Sequence, residues 1–347
     1  MNRKVSAAYW IKRMSEVEAA QHKTGMDAYQ DIESQYQEMQ RSIEAQISKW
    51  YARLAANNGI SLTEAHKLLS SKELAEFKWD VNDYIKHGEE NAINQEWMKE
   101  LENASARYHI NRLEAMELEC QQQIEKAFGN QLDTIDAAMR KIYTDGYYHT
   151  AFEVQKGIGV GWDFSSLDLK KIDKVIKKPW AQDGSDFSSK IWQHKDDLVQ
   201  QCNTTLTQCI MRGQDPQKAI DAIAKRLDVS KSNAGRLVMT ESAAFSSMAQ
   251  QDSFKELGVE EYEIVATLDS RTSEICREMD GKHFKMSDYK VGVTAPPFHC
   301  WCRSTTVPYF ADDFGSVGTR AARGEDGKTY QVPANMTYHE WEKTFVS

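Results

Sequence analysis

Residues 261–284, EYEIVATLDSRTSEICREMDGKHF, mark the place where the periodicity of the chain changes. EYEIVATLDS alternates between apolar and polar residues, with Tyr262, Ile264, Ala266 and Leu268 on one face, which predicts a β-strand. An Asp-led turn, a short helical segment carrying Cys276 and a short strand KHF follow. The residues before this stretch have mostly helical spacing. The sequence therefore predicts a mainly α fold with a C-terminal α+β module that contains a small antiparallel sheet.

The N-terminal half is nearly free of proline and rich in Gln, Glu, Ala, Lys and Met, which favours long helices. It carries no cluster of residues typical of a catalytic or metal site. The expected features are a long helix region ending at Asn58-Gly59, a capping box formed by Ser61 and Glu64, and helices over about 104–128 and 131–156.

These patterns predict four segments along the chain. They are an elongated helical domain (1–156), a linker and loop (157–190), an α+β domain (191–310) and a tail with a terminal helix (311–347). GIGVGW at 157–162 lacks the spacing and the preceding strand of a phosphate-binding loop, so it is interpreted as a helix stop. Residues 1–150 are expected to form an arm with few contacts to the C-terminal module. A fragment covering 190–347 is then expected to fold alone.

The segment AIAKRLDVSKSNAGRL has the rhythm of a DNA-binding helix-turn-helix, with Asp228, Val229 and Ser230 as the turn. Its second helix would present Lys231, Ser232, Asn233 and Arg236. The long apolar stripe of that helix and the formal net charge of -9 argue against DNA recognition. A helix-turn-helix DNA-binding protein nevertheless remains one alternative function.

The hydropathy of the sequence and its cysteines indicate where the protein is made and what its cysteines do. The N-terminal residues lack the apolar core of a signal peptide, and no apolar run has the length of a membrane span. Synthesis in the cytoplasm is therefore expected, where clustered cysteines more often indicate metal binding or catalysis than disulfides. Three of the six cysteines, Cys120, Cys202 and Cys209, lie on apolar helical stripes and are predicted to be buried.

The other three cysteines lie in the last quarter of the chain, two of them in PPFHCWCRSTTVPYF (296–310). Cys276, His299 and Cys302 suit tetrahedral zinc, with a fourth ligand from Asp269, His283 or Cys300. A second interpretation is a catalytic pair with Cys276 as nucleophile, His299 as base and Asp269 orienting the histidine. A third is a structural cluster without metal. The residues alone leave all three open.

Glu241 stands out because it falls inside an apolar helical stripe, four residues after Leu237 and four before Phe245. A buried carboxylate is costly unless it is paired. Glu241 is therefore predicted to be buried and to contact an arginine, with Arg271 or Arg303 as the partner.

Three blocks in order resemble the phage Mu protein F-like domain: SNAGRLVMTESAAF (232–245), TLDSRTSEICREMDGKHF (267–284) and PPFHCWCRSTTVPYF (296–310). YWIKRMSEVE (9–18) and the helical half are also similar to the N-terminal part of minor capsid proteins of phages and prophages of Gram-positive bacteria. Cys300 falls at a variable position of the motif. The matching positions are Arg236, Thr240, Glu241, Asp269, Arg271, Thr272, Cys276, His299, Cys302 and Arg303.

The resemblance implies a structural protein of the virion, and no enzymatic reaction comes with it. It implies a minor capsid protein associated with the portal in the phage head, active in head morphogenesis or genome delivery, and present in the host cytoplasm during assembly. The implied partners are the portal protein and capsid proteins, with transient contact to phage DNA. The long helical half would be the arm that docks on the portal or capsid.

Overall fold

The structure is a computed structural model, and it describes residues 6–58, 112–159, 165–181, 183–211, 216–310, 319–323, 329–333 and 336–345. Its helices are α1 (Ala7–Asn58), α2 (Arg112–Ile158), α3 (Leu169–Ile176), α4 (Phe187–Met211), α5 (Pro216–Glu256), α6 (Glu274–Met279) and α7 (Tyr338–Phe345). Its strands are β1 (Glu261–Val265), β2 (His283–Lys285), β3 (Thr305–Tyr309), β4 (Thr319–Arg323) and β5 (Thr329–Pro333). The predicted fold class, mainly α with a C-terminal α+β module, is confirmed.

The first helix follows its apolar periodicity. Ile32, Tyr36, Met39, Ile43 and Ile47 are all buried and recur at spacings of three and four, the pattern of one helix face. The helix is described as far as Asn58, and Gly59 of the predicted stop lies outside the described residues. The predicted capping box at 61–64 lies outside the described residues.

The predicted break between residues 128 and 131 is wrong. From residue 112 onward, where the description begins, the expected helices at 104–128 and 131–156 form one helix, α2, which runs through Gly129 with open space beside it. A single glycine destabilises a helix by only about 1 kcal/mol. Burial of the apolar residues on either side of Gly129 is enough to keep the helix continuous. The end of α2 is as predicted, with Gly159 in the left-handed region at φ 73° and its N–H bonded to the carbonyl of Gln155.

The predicted helix-turn-helix is also wrong. Residues 228–230 are helical, and α5 is a single helix of 41 residues. Residues 228–230, the predicted turn, contain neither glycine nor proline, and Lys231 pairs with Asp228 one turn away at 3.1 Å, which suits a continuous helix. Residues 216–256 therefore contain no turn that would set off a separate recognition helix.

The C-terminal module contains a three-stranded antiparallel sheet in the order β2-β1-β3. Tyr262 on β1 pairs with Phe284 on β2 and Pro308 on β3. The strand expected to be the last, β3, is followed by a hairpin of β4 and β5, which the predicted tail omitted. The terminal helix of that tail is present as α7.

Contacts divide the chain into two units. Unit 1 contains residues 1–29, 135–187 and 235–347, and unit 2 contains residues 30–134 and 188–234. This grouping differs from the predicted boundary at 157–190, because the first turns of α1 belong with the sheet.

The core of unit 1 explains why the first turns of α1 group with the sheet. It joins Trp10, Ile11 and Met14 of α1 to Tyr262 of β1 and Val307 of β3. The expectation that residues 1–150 make few contacts with the C-terminal module is therefore wrong. Helix periodicity identified the apolar face of α1 but not the surface that it packs against.

Unit 2, in the parts that the structure describes, is helical. The Tyr36 hydroxyl and the Ser230 hydroxyl share a buried hydrogen bond of 2.9 Å. Lys195 is completely buried and pairs with Glu125 at 3.1 Å. Cys120, Cys202 and Cys209 are buried here, as their stripes predicted. Among all described helices, none combines the length and apolar character that a bilayer crossing requires.

Candidate metal centre

The first candidate ligand, Cys276, is positioned by the start of a short helix. Ser273 caps α6, and its hydroxyl accepts a hydrogen bond from the Cys276 N–H at 3.4 Å. Cys276 is 2% exposed. Its thiol therefore faces the interior of the module beside Ala266, Cys302 and Phe298.

The other two candidate ligands lie on the turn that leads into β3. Trp301, which lies between His299 and Cys302, has φ 62°, a left-handed conformation that is uncommon for a bulky residue. This turn carries His299 on one side and buried Cys302 on the other. The edge of the Trp301 ring meets the ring of Tyr29 with 5.8 Å between centroids, which holds the turn against α1.

Cys276, His299 and Cys302 converge, with one ligand atom from each lying within 4.8 Å of the others. Cys276 Sγ is 3.1 Å from His299 Nε2 and 3.6 Å from Cys302 Sγ. In the part of the chain that the structure describes, no other group of three Cys, His, Asp or Glu side chains meets this criterion.

The histidine is held in the orientation that a ligand needs. Its Nδ1 lies 2.7 Å from the carbonyl oxygen of Cys300, so Nδ1–H donates to that oxygen. The Nε2 lone pair then points toward Cys276. Metal-bound histidines commonly donate their second N–H to a carbonyl or carboxylate in this way.

A hydrogen bond links the Cys276 and Cys302 sulfur atoms, 3.6 Å apart. It lowers the pKa of Cys302 to about 6, and the same interaction together with burial raises the pKa of Cys276. Cys302 is therefore the first of the two thiols to lose its proton as pH rises. A cation placed between them would stabilise both thiolates.

None of the three predicted fourth ligands joins the cluster. Asp269 is bonded to Arg303, the His283 ring stacks on Tyr309 with centroids 4.3 Å apart, and the Cys300 side chain is exposed. Among the described residues, the structure thus brings together three of the six candidate ligands.

Asp269 and Arg303 form the second feature of the site. Arg303 donates two parallel hydrogen bonds to the Asp269 carboxylate, at 2.6 Å and 2.8 Å. Asp269 also accepts from the Thr272 hydroxyl and the Arg271 N–H. Burial acts to raise the pKa of Asp269, but these hydrogen bonds, led by that from Arg303, hold it below its usual value.

This pairing bears on the catalytic interpretation of the cluster. The catalytic interpretation needs Asp269 to orient His299, but Asp269 binds Arg303 and the carbonyl of Cys300 orients the histidine. It also needs a nucleophilic Cys276, whose pKa is instead raised, first by hydrogen bonding with Cys302 and then by burial. The geometry therefore does not form the predicted Cys–His–Asp triad.

Glu241 is 2% exposed, as predicted, and lies on α5. Its carboxylate accepts a hydrogen bond of 2.7 Å from the indole N–H of Trp180. Of the two arginines predicted to pair with it, Arg303 is bound to Asp269 and Arg271 is exposed. Trp180 lies in the segment predicted as linker and loop, and no local pattern links it to Glu241.

The remaining motif residues, Arg236 and Thr240, lie on the same helix. Arg236 is exposed, and the Thr240 hydroxyl donates to the Arg236 carbonyl at 2.7 Å. They lie on α5, whereas the three converging ligands lie on α6 and on the turn before β3.

A small polar cavity of about 10 Å³ lies behind Cys302, with room for about one water molecule. Glu18 and His22 of α1 line it together with Gln250 of α5. Burial raises the pKa of Glu18 to about 8, although Arg303 acts to lower it. The sequence had indicated no role for these two residues, because their partners are distant in the chain.

Residues 200–307 match the family described as phage Mu protein F like protein, and the match encloses the three converging residues and the Asp269–Arg303 pair. The resemblance seen in the sequence is thereby confirmed. This family points to a protein of the phage head. No curated protein and no solved structure shows a significant match to the chain.

Proposed function

We propose that this chain, which carries a phage Mu protein F-like domain, is a minor capsid protein associated with the portal of a phage head. The observation that carries the proposal is the family match over residues 200–307, in which the three sequence blocks occur in order. The protein would be made in the host cytoplasm and incorporated into the virion during head assembly. Its role there is structural, in head morphogenesis or genome delivery.

Unit 1 would supply a stabilised fold, and unit 2 would supply the surface that contacts the partner. Unit 1 holds the cluster and the Asp269–Arg303 pair, which stabilise one loop arrangement. The described part of unit 2 is helical and contains buried pairs such as Lys195–Glu125, which are suited to packing rather than chemistry. We assign the contact with the portal protein to the exposed helix faces of unit 2.

The experiment is co-purification with the portal protein encoded by the same phage. A tagged chain expressed with that portal protein is expected to retain it through affinity and size-exclusion steps. The matched control is the same tagged chain expressed with the major capsid protein alone. Equal recovery of both partners, or loss of the portal protein during washing, would contradict portal association.

We also propose that Cys276, His299 and Cys302 bind a zinc ion. With zinc–sulfur bonds of about 2.3 Å, two thiolates of a tetrahedral site lie about 3.7 Å apart. The observed separation of the two sulfur atoms is 3.6 Å. The preset histidine and the lowered pKa of Cys302 fit the same ion. Water or a partner residue would supply the fourth ligand.

Purified protein is expected to contain about one zinc ion per chain, measured by elemental mass spectrometry after exhaustive dialysis. Cys276→Ala and His299→Ala should each reduce the content to less than about a tenth, because two remaining ligands bind zinc weakly. Cys300→Ala is the matched control and should keep the full content, since that thiol is exposed and outside the cluster. Wild-type protein that stays free of zinc after refolding with the metal would refute the proposal.

A further inference from the structure

Helix α3 and the turn that follows it carry a one-sided group of lysines. Lys170, Lys174, Lys177 and Lys178 are all exposed. At about 100° per helical residue, these four positions lie within an arc of about 100°. We call these four residues the lysine face.

Local structure holds the lysine face in place. Asp168 caps α3 by accepting a hydrogen bond from the N–H of Lys171. The N–H groups of Lys177 and Lys178 bond back to the carbonyls of Asp173 and Val175, so the helical turn continues past Ile176. On the opposite side, Ile172 and Ile176 are 7% and 4% exposed and anchor the helix in the protein.

The charge of the lysine face is not neutralised within the described residues. No ion pair of Lys170, Lys174, Lys177 or Lys178 occurs among them. The carboxylate on the same helix, Asp173, is bound to Arg140 at 2.5 Å. Four adjacent like charges repel one another, so the face is stabilised when it meets an anion. It stands out in a chain of net charge -9.

We propose that the lysine face binds the phosphate backbone of double-stranded DNA. This inference rests on the proposed function, because the head of a tailed phage encloses duplex DNA and the portal conducts it. The four lysines span about 12 Å of helix, and a duplex carries one negative charge per about 1.7 Å of its axis. Several phosphates therefore lie within reach of the face at once.

The chemistry of the lysine face favours duplex DNA without sequence preference. A lysine ammonium is a point charge that binds phosphates, whereas reading of base edges relies on arginine, asparagine or glutamine placed in a groove. The face itself has no aromatic side chain on which unpaired bases could stack, as single-strand binders do. Contacts to phosphate alone give affinity that depends strongly on salt.

An anionic membrane is the main competing partner, and the structure disfavours it. A helix that lies in a bilayer surface inserts a continuous apolar face. In α3 the isoleucines that would form such a face are already buried in the protein. Leu169 is 76% exposed at the first turn, but one leucine contributes too little apolar area to anchor a helix.

The test uses the full chain and a fluorescently labelled 30-base-pair duplex, with anisotropy measured from 25 to 200 mM KCl. The wild type is expected to bind with a log–log salt slope of about -3 to -4, as four phosphate contacts give about -0.9 each. The variant K170Q/K174Q/K177Q/K178Q should bind at least about tenfold more weakly at 50 mM KCl, with a slope smaller by about 3.

The matched control is K218Q/K225Q/K282Q/K285Q, which removes the same charge at four other exposed lysines. It should bind DNA within about twofold of the wild type, and two duplexes of unrelated sequence should bind equally. Equal losses in both variants, or no loss in the first, would overturn the proposal. Wild-type binding to vesicles containing phosphatidylserine without binding to DNA would also overturn it.

The outcome is separable from that of the proposed function. A chain that co-purifies with the portal but whose lysine face fails this test refutes only the DNA contact. A chain that passes this test but never retains the portal protein refutes only the portal association.

Discussion

Trp10→Ala is expected to lower the free energy of unfolding of unit 1 by about 3–5 kcal/mol, the usual cost of emptying a tryptophan site in a core. Trp10 is 3% exposed, and its ring centroid lies 5.8 Å from that of Phe310. A Cβ atom on Gly157 would lie 2.3 Å from the Trp10 ring, so the last turn of α2 packs directly against that ring. Urea titration followed by circular dichroism and tryptophan fluorescence would measure the change.

The matched control is Phe152→Ala, which removes another large aromatic ring from unit 1. Phe152 is 58% exposed and lies over Lys156, so its loss should cost less than about 1 kcal/mol. Equal midpoints for Trp10→Ala and Phe152→Ala would mean that α1 does not belong to the core of unit 1. By the same reasoning, a fragment covering 190–347 should not fold alone, contrary to the expectation from the sequence.

The second large effect is expected for Arg303→Met. The variant leaves the Asp269 carboxylate, which is 3% exposed, without its bidentate partner. Removing one member of a buried ion pair costs about 3–5 kcal/mol, most of it from the charge left behind. Arg271→Met is the matched control, because that arginine side chain is exposed and should contribute less than about 0.5 kcal/mol.

The double variant Asp269→Asn with Arg303→Met separates the cost of the unpaired charge from the cost of the lost hydrogen bonds. It should be more stable than Arg303→Met alone, since the uncompensated charge is gone and an amide oxygen can still accept from Thr272 or the Arg271 N–H. If the double variant were the less stable of the two, the stranded charge would not be the cause of the loss.

The effect of Arg303→Met should also depend on pH. Because the folded protein holds the pKa of Asp269 below its ordinary value of 3.8, the pair contributes stability above that pH and loses it as pH falls through the folded pKa. The difference between wild type and Arg303→Met should therefore be largest near neutral pH and narrow below about pH 4. Urea midpoints at pH 7, 5 and 3.5 would measure this.

Local patterns predicted much of the fold. The helix stop at 157–162, where Gly159 is left-handed, and the strands β1 and β2 follow from residues within a few positions of each other. The three site residues could be named from their residue types and positions, and the resemblance to a known domain then pointed to the same three. Chemistry alone had left metal, catalysis and a purely structural cluster open.

The other features depend on contacts between distant parts of the chain. Periodicity showed that Glu241 was buried, but its partner Trp180 lies 61 residues away in a loop without a pattern. The prediction that residues 1–150 form a separate arm failed for a similar reason. An apolar helix face shows that the helix is packed, but it does not show which surface it packs against. The hairpin of β4 and β5 escaped detection because TRAAR and TYQVP are short and show little alternation.

The most direct measurement is to locate the chain in phage particles from the host that encodes it. Quantitative mass spectrometry of purified particles would give its copy number, and an asymmetric reconstruction of the portal vertex would give its position. The proposed function predicts far fewer copies than the major capsid protein, with density for the helices of this chain against the portal. Absence from the particles, or a copy number equal to that of the capsid lattice, would contradict it.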